Sequence, residues 1–384
     1  MGVLMVYTPT RGDVPVRVGP GARQLPQQGA SQLDRHVYTD ATRFELERER
    51  VLRASWLMVG RSSEIAGTGD WMSYEGHGET VVVTRQPDGE LAAFHNVCPH
   101  RGPAFVVDQQ GCGARRFTCM YHGWVMDTTG EVVGVPERED FDPAHLDGLR
   151  SPKVAAGEWG GWVWINLAGP QDAVPLADWI GTDIMADLGQ FRMEDMVVLE
   201  RLEWEVPVNY KAIVDGFNEV YHATSLHHSP PEFTKAARHT SFHIVGNNAM
   251  MFVPRPDHLE ELWETGDHHR FAICHYVVFP NAVFNCNPRH IQVFHPIPLD
   301  VDRTKFYCWQ LIYPGEHGDP EYDYYFASMQ AQWQGLKGVV AEDIAIYQQL
   351  KRTQRSMGYQ RNTLSERECK IAHYHQVMDE MIRD

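Results

Sequence analysis

The feature that most constrains this chain is a pair of short segments that each carry one cysteine and one histidine. The first reads Cys98-Pro99-His100-Arg101-Gly102, and the second reads Cys119-Met120-Tyr121-His122-Gly123-Trp124. Eighteen residues separate His100 from Cys119. Two sulfur and two imidazole ligands so close together indicate a metal site, and such a site would fix the fold of the chain around it.

Two metal groups fit this set of ligands: a tetrahedral zinc ion and a [2Fe–2S] cluster of Rieske type. A Rieske cluster places two cysteines on one iron and two histidines on the other, so each loop must send one ligand to each iron. The patterns C-x-H and C-x-x-H on facing hairpin tips do that, whereas zinc sites more often pair like ligands. Pro99, Gly102 and Gly123 allow the tight turns that such loops need. The spacing therefore favours the Rieske cluster over structural zinc.

The regions around these loops have strand patterns. Short strands with regular turns run from Leu57 to Leu167 and include a hairpin whose turn is Pro87-Asp88-Gly89. This pattern predicts a small antiparallel β domain that carries the two loops at its tip. After Gly169-Pro170, strands and helices follow without regular alternation, so we predict an α+β fold with a second antiparallel sheet flanked by helices. Strands are predicted at 196–206, 240–255 and 271–313, and helices at 177–188, 209–224, 322–354 and from 365 onward.

The first fifty residues divide into two parts. Residues 1 to about 35 are rich in Gly, Pro and Gln and are predicted to form an irregular arm. Residues 40–56 have apolar side chains at roughly helical spacing, which predicts a surface helix whose Arg and Glu residues form a solvated face.

Composition and charge disfavour nucleic-acid-binding, membrane-associated and secreted proteins. The chain has 384 residues and a formal net charge of −17, which disfavours nucleic acid and an anionic membrane surface as partners. No apolar run approaches the length of a membrane span, and the first residues lack the pattern of a secretory signal. Five of the seven cysteines lie outside the two loops and show no paired spacing, which is typical of reduced thiols. We therefore expect a cytoplasmic protein.

A second candidate metal site follows Asn209. His222 and His227 form H-x₄-H, a separation too long for one helix face, so they converge only if the helix ends or distorts between them. Two histidines and one carboxylate on one face of an iron(II) ion leave positions open for O₂. In a chain with 20 histidines this pattern alone is weak, because surface or core histidines explain it equally well.

At this point the chain resembles a known family. The two Cys/His loops resemble those of the oxygenase (alpha) subunit of Rieske non-haem iron oxygenases, except that Met120 stands where the family often has Pro. The resemblance implies a Rieske domain at 48–168 and a catalytic domain with a mononuclear Fe(II) at 169–384. Residues 1–47 would be an arm and helix associated with the catalytic domain.

The resemblance also implies a set of site residues. Cys98, His100, Cys119 and His122 would bind the cluster. His222 and His227 match the family's iron-binding histidines, with His228 as a competitor for His227. Asp343 matches the third ligand, with Glu342 as the alternative. Glu219 would be an acidic residue that bridges the metal sites of neighbouring subunits in a homotrimer. The substrate pocket would be lined by Gly216, Phe217, Phe279, Asn281 and Phe294.

One of these positions departs from the family. Gly216 stands where the family often has Phe, so the missing side chain would enlarge the pocket, or the glycine is merely a helix irregularity that costs about 1 kcal/mol.

The resulting functional hypothesis is a terminal oxygenase. NAD(P)H would supply electrons through a reductase or ferredoxin, and O₂ would hydroxylate an apolar, aromatic or polycyclic substrate. O- or N-demethylation, including of quaternary ammonium substrates, is the alternative within the same chemistry. Two other classes remain: an electron-transfer protein with only the Rieske cluster, and a zinc-stabilised binding protein. The sequence leaves open whether a small beta subunit is present.

Overall fold

The computed structural model describes residues 32–383, which divide into two compact units. The smaller unit is Leu52–Leu176, and the larger unit comprises the described residues before and after it. These boundaries lie four and eight residues C-terminal to the predicted limits of 48 and 168. The predicted arm lies almost entirely outside the described residues.

The secondary structure is mixed, as predicted. The strands are β1 (Gln32–Asp34), β2 (Trp56–Arg61), β3 (Trp71–Gly76), β4 (Glu79–Arg85), β5 (Leu91–His95), β6 (Gln110–Gly111), β7 (Arg116–Thr118), β8 (Val125–Asp127), β9 (Val132–Gly134), β10 (Lys153–Trp159), β11 (Trp162–Asn166), β12 (Val197–Val206), β13 (Ser241–Val245), β14 (Asn248–Pro254), β15 (Ala272–Val278), β16 (Ala282–Asn287), β17 (His290–Asp300), β18 (Arg303–Ile312) and β19 (Arg361–Thr363). The α-helices are α1 (His36–Thr39), α2 (Ala41–Leu46), α3 (Pro143–Leu146), α4 (Leu176–Ile180), α5 (Thr182–Leu188), α6 (Tyr210–Phe217), α7 (Pro231–Ala237), α8 (Leu259–Thr265), α9 (His268–Phe271), α10 (Pro320–Thr353) and α11 (Cys369–Arg383). A π-helix spans Glu47–Leu52, and 3₁₀ turns span Ser62–Ile65, Arg138–Asp140, Gly189–Phe191, Met193–Asp195, His222–Thr224, Pro256–His258 and Glu366–Glu368.

The smaller unit contains a seven-stranded sheet in the order β2-β11-β10-β5-β4-β3-β6 and a three-stranded sheet β7-β8-β9. The predicted hairpin joins β4 to β5, and Gly89 in its turn has a φ of 88°, a conformation that glycine adopts without strain. Both Cys/His loops leave this scaffold between strands, the first after β5 and the second between β7 and β8.

The larger unit is organised around an antiparallel sheet in the order β12-β18-β17-β16-β15-β14-β13. Directly paired residues of an antiparallel sheet project to the same face. Four such residues run across adjacent strands, and we call them the polar row: His275, Asn285, Gln292 and Gln310. At one end the row continues to Met251, which pairs with His275, and at the other to Glu200, which pairs with Gln310.

Helices α6 and α10 cover the face with the polar row. Phe217 at the end of α6 stacks on Phe294, which is two residues after Gln292 on the same face, with ring centroids 4.2 Å apart. On α10, the Lys337 ammonium donates to the Glu200 carboxylate at 2.8 Å. The two segments expected to supply iron ligands therefore lie over one face of the sheet.

The helix expected at 209–224 is shorter than predicted. Asn209 caps its start by accepting from the Lys211 N–H at 3.1 Å, and α6 ends at Phe217. The Glu219 carboxylate accepts the backbone N–H groups of Tyr221 and His222, so a side chain takes the place of helical carbonyls. The chain has thus left the helix before the first histidine.

Two other helix predictions need correction. Residues 40–56 form only a short α-helix and a π-helix before β2 begins at Trp56. Glu47 is fully buried and forms an ion pair with Lys211, so the interpretation of this segment as a solvated charged face was wrong for that residue. The helix predicted at 177–188 is broken at Gly181, which has a φ of 85°.

The long helix predicted at 322–354 is confirmed as α10, whose first turn is capped by the Asp319 carboxylate. None of the cysteines within residues 32–383 forms a disulfide bond. None of the helices within residues 32–383 combines the length and apolarity needed to cross a membrane.

Candidate active site

The two Cys/His loops have the same backbone hydrogen bonds. In the first, the Gly102 N–H donates to the Cys98 carbonyl at 2.9 Å, and the Cys98 N–H donates to the Pro103 carbonyl at 2.8 Å. In the second, Gly123 donates to Cys119 at 2.9 Å, and Cys119 donates to Trp124 at 2.8 Å. Both glycines have a positive φ, 87° and 72°, which the closing turn requires.

This shared geometry brings the four predicted cluster ligands together. Cys98 and Cys119 are buried with 1% exposure each, and their thiols interact. Burial and the neighbouring thiol raise the pKa of Cys98. The His100 and His122 rings lie beside each other with centroids 4.6 Å apart, and Trp124 stacks on His100. Two adjacent thiols and two adjacent imidazoles fit a [2Fe–2S] cluster of Rieske type.

The tip of the second loop faces solvent in this chain. His122 is exposed, as are Met120 at 90% and Tyr121 at 55%. The Arg101 guanidinium lies over the Tyr121 ring at 5.2 Å from its centroid.

The second predicted site also comes together. One ligand atom each of His222, His227 and Asp343 lie within 4.8 Å of one another. Asp343 Oδ1 is 3.2 Å from His227 Nε2 and 3.8 Å from His222 Nε2. Asp343 lies in the middle of α10, and both histidines lie in the irregular segment after α6. Two imidazoles and one carboxylate facing one point are the donor set of a 2-His-1-carboxylate iron(II) site.

A carboxylate holds each of these imidazoles from behind. His222 Nδ1 donates to Glu219 Oε1, and His227 Nδ1 donates to Glu342 Oε2 at 2.8 Å. A proton fixed on Nδ1 leaves the lone pair on Nε2, the nitrogen that faces Asp343. The outer carboxylates therefore set the tautomer that a metal ligand requires.

The pKa shifts reflect the concentration of negative charge. Burial lowers the pKa of His222, but the hydrogen bond and charge of Glu219 outweigh it and raise the pKa above its usual value. The Asp343 carboxylate, with a contribution from Glu342, raises the pKa of His227. Three carboxylates around two imidazoles favour a positive charge at this point, which a divalent cation would supply.

Two alternatives from the sequence are now placed. His228, the competitor of His227, is exposed with a φ of 49° and is not part of the cluster. Glu342, the alternative to Asp343, contacts the far nitrogen of His227 instead of the convergence point. The sequence analysis proposed Glu342 as an iron ligand but not as a hydrogen-bond partner of His227. That contact depends on where α10 crosses the segment that contains the histidines.

Gly216 does not open space beside the site. A Cβ atom on Gly216 would lie 2.5 Å from the hydroxyl oxygen of Tyr347, which is itself buried. Tyr347 is four residues after Asp343, on the same side of α10. Of the two interpretations of Gly216, this contact disfavours the enlarged pocket, because an aromatic side chain from another helix fills the space that the glycine leaves.

The other predicted pocket residues fall into two groups. Phe217 and Phe294 stack on each other over the face that carries the polar row. Phe279 instead packs against Trp179 and Tyr374, and the Asn281 amide donates to the Pro296 carbonyl at 2.9 Å. Their role in substrate binding stays a prediction.

A second group of two histidines and one aspartate was missed by the sequence analysis. Asp187 Oδ1 lies 2.9 Å from His268 Nε2 and 3.1 Å from His269 Nε2, and all three residues are buried. The Tyr276 hydroxyl donates to the other Asp187 oxygen at 2.6 Å. Side chains alternate along β15, so Tyr276 projects to the face of the sheet opposite to that of His275, together with Cys274 and Val278. Adjacent histidines on α9 were the available signal, but their partner is 81 residues away.

Comparisons with known proteins agree with this geometry. The family "Ring hydroxylating alpha subunit (catalytic domain)" matches residues 193–384, and the family "Rieske [2Fe-2S] domain" matches residues 55–151. The chain belongs to the Rieske non-haem iron oxygenase alpha subunits. It is therefore an oxidoreductase that uses O₂, and its cofactors are a Rieske [2Fe–2S] cluster and a mononuclear iron.

Several relatives carry more specific names. The chain is similar to the benzene 1,2-dioxygenase subunit alpha of Pseudomonas putida, with 28% identity over 310 residues, 70% of this chain and 68% of the relative. It is also similar to the carnitine monooxygenase oxygenase subunit of Escherichia coli, with 25% identity over 93% of this chain and 95% of the relative. A solved quaternary ammonium Rieske monooxygenase in complex with L-carnitine has the same fold, with a TM-score of 0.76 and 22% identity over 95% of this chain and 99% of that one.

Proposed function

We propose that this chain is the terminal oxygenase of a multicomponent system and hydroxylates a small organic substrate with O₂. NAD(P)H supplies the electrons through a partner reductase or ferredoxin. The observation that carries the proposal is the convergence of His222, His227 and Asp343 in a chain that also holds the paired Cys/His loops. When bound, the cluster supplies single electrons and the iron activates O₂.

In this proposal the protein's own residues hold and orient those groups. Cys98, Cys119, His100 and His122 bind the cluster, and His222, His227 and Asp343 bind the iron. Glu219 and Glu342 keep the Nδ1 protons in place, so that Nε2 of each imidazole remains free to bind metal.

Glu219 is the residue proposed to join the two sites across a subunit boundary. One of its oxygens contacts His222 Nδ1 within the chain. The exposed position of His122 allows the same carboxylate to accept an N–H from His122 of the partner subunit in a homotrimer. A carboxylate shared by both imidazoles would fix their orientation and give a short connection between the two metal groups.

A second candidate function, O- or N-demethylation, is favoured by the polar row. An apolar ring needs no hydrogen-bonding partners, yet His275 and Asn285 present polar atoms on the face that α6 and α10 cover. The chain matches a carnitine monooxygenase oxygenase subunit over nearly the full length of both proteins, and this similarity also supports demethylation.

Turnover with a reductase and NADH separates these candidates. The holoenzyme is supplied with aromatic hydrocarbons, aryl methyl ethers and quaternary ammonium compounds, and both hydroxylated products and formaldehyde are measured. Formaldehyde in step with NADH consumption supports demethylation, and ring hydroxylation without formaldehyde supports the aromatic substrate. NADH consumption that gives only peroxide with all three substrate classes would contradict the proposed function for them.

A further inference from the structure

Helix α6, which precedes the proposed iron ligands, carries two buried charged residues on one side. Lys211 and Asp215 are four residues apart, so their side chains are neighbours along the helix. Both are buried, and each meets a partner from the segment before β2: Lys211 forms an ion pair with Glu47, and Asp215 accepts a hydrogen bond from Tyr38. Buried charges require such partners. Neither Lys211 nor Asp215 is among the proposed ligands of the cluster or the iron.

The Asp215 carboxylate is the centre of a set of hydrogen bonds that we call the Asp215 network: Asp215, Tyr38, His375 and Asn362. The Tyr38 hydroxyl donates to Asp215 Oδ2 at 2.6 Å, and His375 Nε2 donates to the same oxygen at 3.0 Å. The Asn362 amide donates to the Tyr38 hydroxyl oxygen at 3.0 Å. Burial, together with the charge of Asp215, raises the pKa of Tyr38 well above its usual value, so the hydroxyl keeps its proton and remains a donor.

The Asp215 network joins elements that are far apart in the sequence. Tyr38 lies on α1, Asn362 on β19 and His375 on α11. Strand β19 pairs with β1, where Leu33 lies opposite Asn362. The first and last elements of the described chain therefore meet at the last turn of α6, and the Asp215 carboxylate is the group that binds them there.

The last turn of α6 leads directly into the segment with the proposed iron ligands. The Asn218 N–H donates to the Asp215 carbonyl at 3.0 Å, and this bond closes the helix. The next residue is Glu219, whose carboxylate accepts from His222 Nδ1. A shift or rotation of the last turn would therefore move the Glu219 carboxylate with it, and with it the imidazole that this carboxylate orients.

The same turn of α6 also contacts α10, the helix that supplies Asp343. A Cβ atom on Gly216 would lie 2.5 Å from the hydroxyl oxygen of Tyr347, so the two helices are in close contact at this point. Tyr347 is about one helical turn after Asp343. The position of the last turn of α6 thus affects how the histidine segment lies relative to Asp343.

We propose that Asp215 is a positioning residue for the iron site. Its hydrogen bonds with Tyr38 and His375 hold the last turn of α6, and that turn sets where Glu219 and His222 lie. Ligands that are already in place bind a metal more tightly, because less of the protein has to be ordered on binding. This inference rests on the proposed function, because it concerns the support of the iron ligands assigned there.

A matched pair of tyrosine variants tests the inference on the full-length protein with its cluster intact. Tyr38→Phe removes the hydrogen bond to Asp215, and Tyr276→Phe removes a hydrogen bond of the same length, 2.6 Å, to Asp187. Both tyrosines are buried in the larger unit, so the two variants should lower the urea midpoint by similar amounts. Competition with a chelator measures the affinity for Fe(II), and the absorbance of the cluster shows that the cluster is retained.

We expect Tyr38→Phe to bind Fe(II) about fivefold more weakly than the unsubstituted protein, a factor of the size that one hydrogen bond contributes. Tyr276→Phe should keep the affinity of the unsubstituted protein. A purely structural role for Asp215 predicts equal affinities in the two variants, because a similar loss of stability does not change how the folded protein binds iron. Equal affinities, whether lowered or unchanged, would therefore overturn the inference.

Two substitutions of Asp215 itself provide a second test. Asp215→Asn keeps an oxygen that can accept from Tyr38, whereas Asp215→Ala removes the acceptor altogether. Asp215→Asn is therefore expected to retain more of the Fe(II) affinity than Asp215→Ala. Equal losses in these variants would contradict positioning by hydrogen bonds. If the alanine variant does not fold, the comparison of Tyr38→Phe with Tyr276→Phe decides alone.

These outcomes are distinct from a failure of the proposed function. Equal Fe(II) affinities in the two tyrosine variants overturn the inference even when the protein hydroxylates a substrate. A loss of affinity confined to Tyr38→Phe supports the inference even when no tested compound is hydroxylated, and that absence of product would count against the proposed function alone.

Discussion

The larger unit contains two groups of two histidines and one aspartate, and they differ in how their charges are balanced. Around His222 and His227 there are three carboxylates: Asp343 between the rings and Glu219 and Glu342 behind them. Around His268 and His269 there is one carboxylate, Asp187. The first group therefore has three carboxylates for two imidazoles, whereas the second has one among the described residues.

The two groups also differ in which nitrogen atoms are occupied. His222 and His227 are held at Nδ1 from outside, which leaves Nε2 free at the convergence point. His268 and His269 direct Nε2 at Asp187, whose second oxygen is already taken by the Tyr276 hydroxyl. The same three residue types therefore form an arrangement suited to a metal ion in one place and a buried hydrogen-bond network in the other. The two groups differ in whether the imidazole nitrogen that points away from the aspartate has a carboxylate hydrogen-bond partner.

The largest expected effect is on turnover. Asp343→Asn removes the carboxylate at the convergence point, so product formation should fall by more than about a hundredfold, beyond the effect of losing an outer carboxylate. The absorption spectrum of the cluster should not change, because its ligands lie in the other unit. Product measured under single-turnover conditions with reduced protein provides the comparison. Normal turnover in this variant would show that Asp343 is not required for catalysis, and would contradict the interpretation of the first group as the iron site.

Substitution in the buried group should affect stability instead. Asp187→Ala leaves two histidines and the Tyr276 hydroxyl buried without their acceptor, so the free energy of unfolding should fall by about 3–5 kcal/mol. Urea denaturation followed by circular dichroism measures this loss. Tyr276→Phe, which removes only one hydrogen bond to the same carboxylate, should cost about 1 kcal/mol and provides a milder test if the alanine variant does not fold. Loss of iron with intact stability would instead show that Asp187 binds metal.

The outer carboxylates provide a finer test of the comparison. Glu342→Gln keeps the size of the side chain but weakens the hold on His227 Nδ1, so iron affinity should fall by about tenfold to a hundredfold. Glu321→Gln, at an exposed position on the same helix, should leave it unchanged. Competition with a chelator measures both variants. Equal affinities would mean that His227 does not need Glu342 for its orientation.

The smallest expected effect is a dependence of stability on acid. Burial raises the pKa of Asp187, but hydrogen bonds from His268 and His269 outweigh it and lower the pKa below the usual 3.8. The folded state therefore gains stability above pH 3.8 and loses it as the pH falls through the lowered value. The loss begins near the usual value of 3.8. Denaturation between about pH 5 and 3, an interval that includes this onset, should therefore show a shallower loss in Asp187→Asn. Identical slopes would exclude Asp187 as an ionised acceptor.

Much of this arrangement was predictable because its signals are local. The Cys/His spacing indicated the cluster loops, and alternating apolar residues indicated both antiparallel sheets. The separation of His222 and His227 predicted that the helix ends or distorts between them, but α6 already ends at Phe217, before both histidines. Asp343 was named only through family resemblance, because no local pattern links it to histidines more than a hundred residues earlier.

The remaining features depend on tertiary contacts. Glu342 contacts His227, Tyr347 fills the space at Gly216, and Asp187 meets His268 and His269 only because separate elements cross at those points. The early end of α6 arises from Glu219, whose side chain replaces backbone acceptors. The helical spacing of apolar residues in the sequence does not predict that a side chain will replace these backbone acceptors.

The most direct measurement is the iron content of three proteins purified without oxygen: the unsubstituted chain, Asp343→Asn and Asp187→Asn. We expect about three irons per chain in the unsubstituted protein, two in the cluster and one mononuclear. Asp343→Asn should retain about two with an unchanged Rieske spectrum, and folded Asp187→Asn should retain about three. Full iron content in Asp343→Asn, or loss of the mononuclear iron in Asp187→Asn alone, would contradict the assignment of the iron to His222, His227 and Asp343.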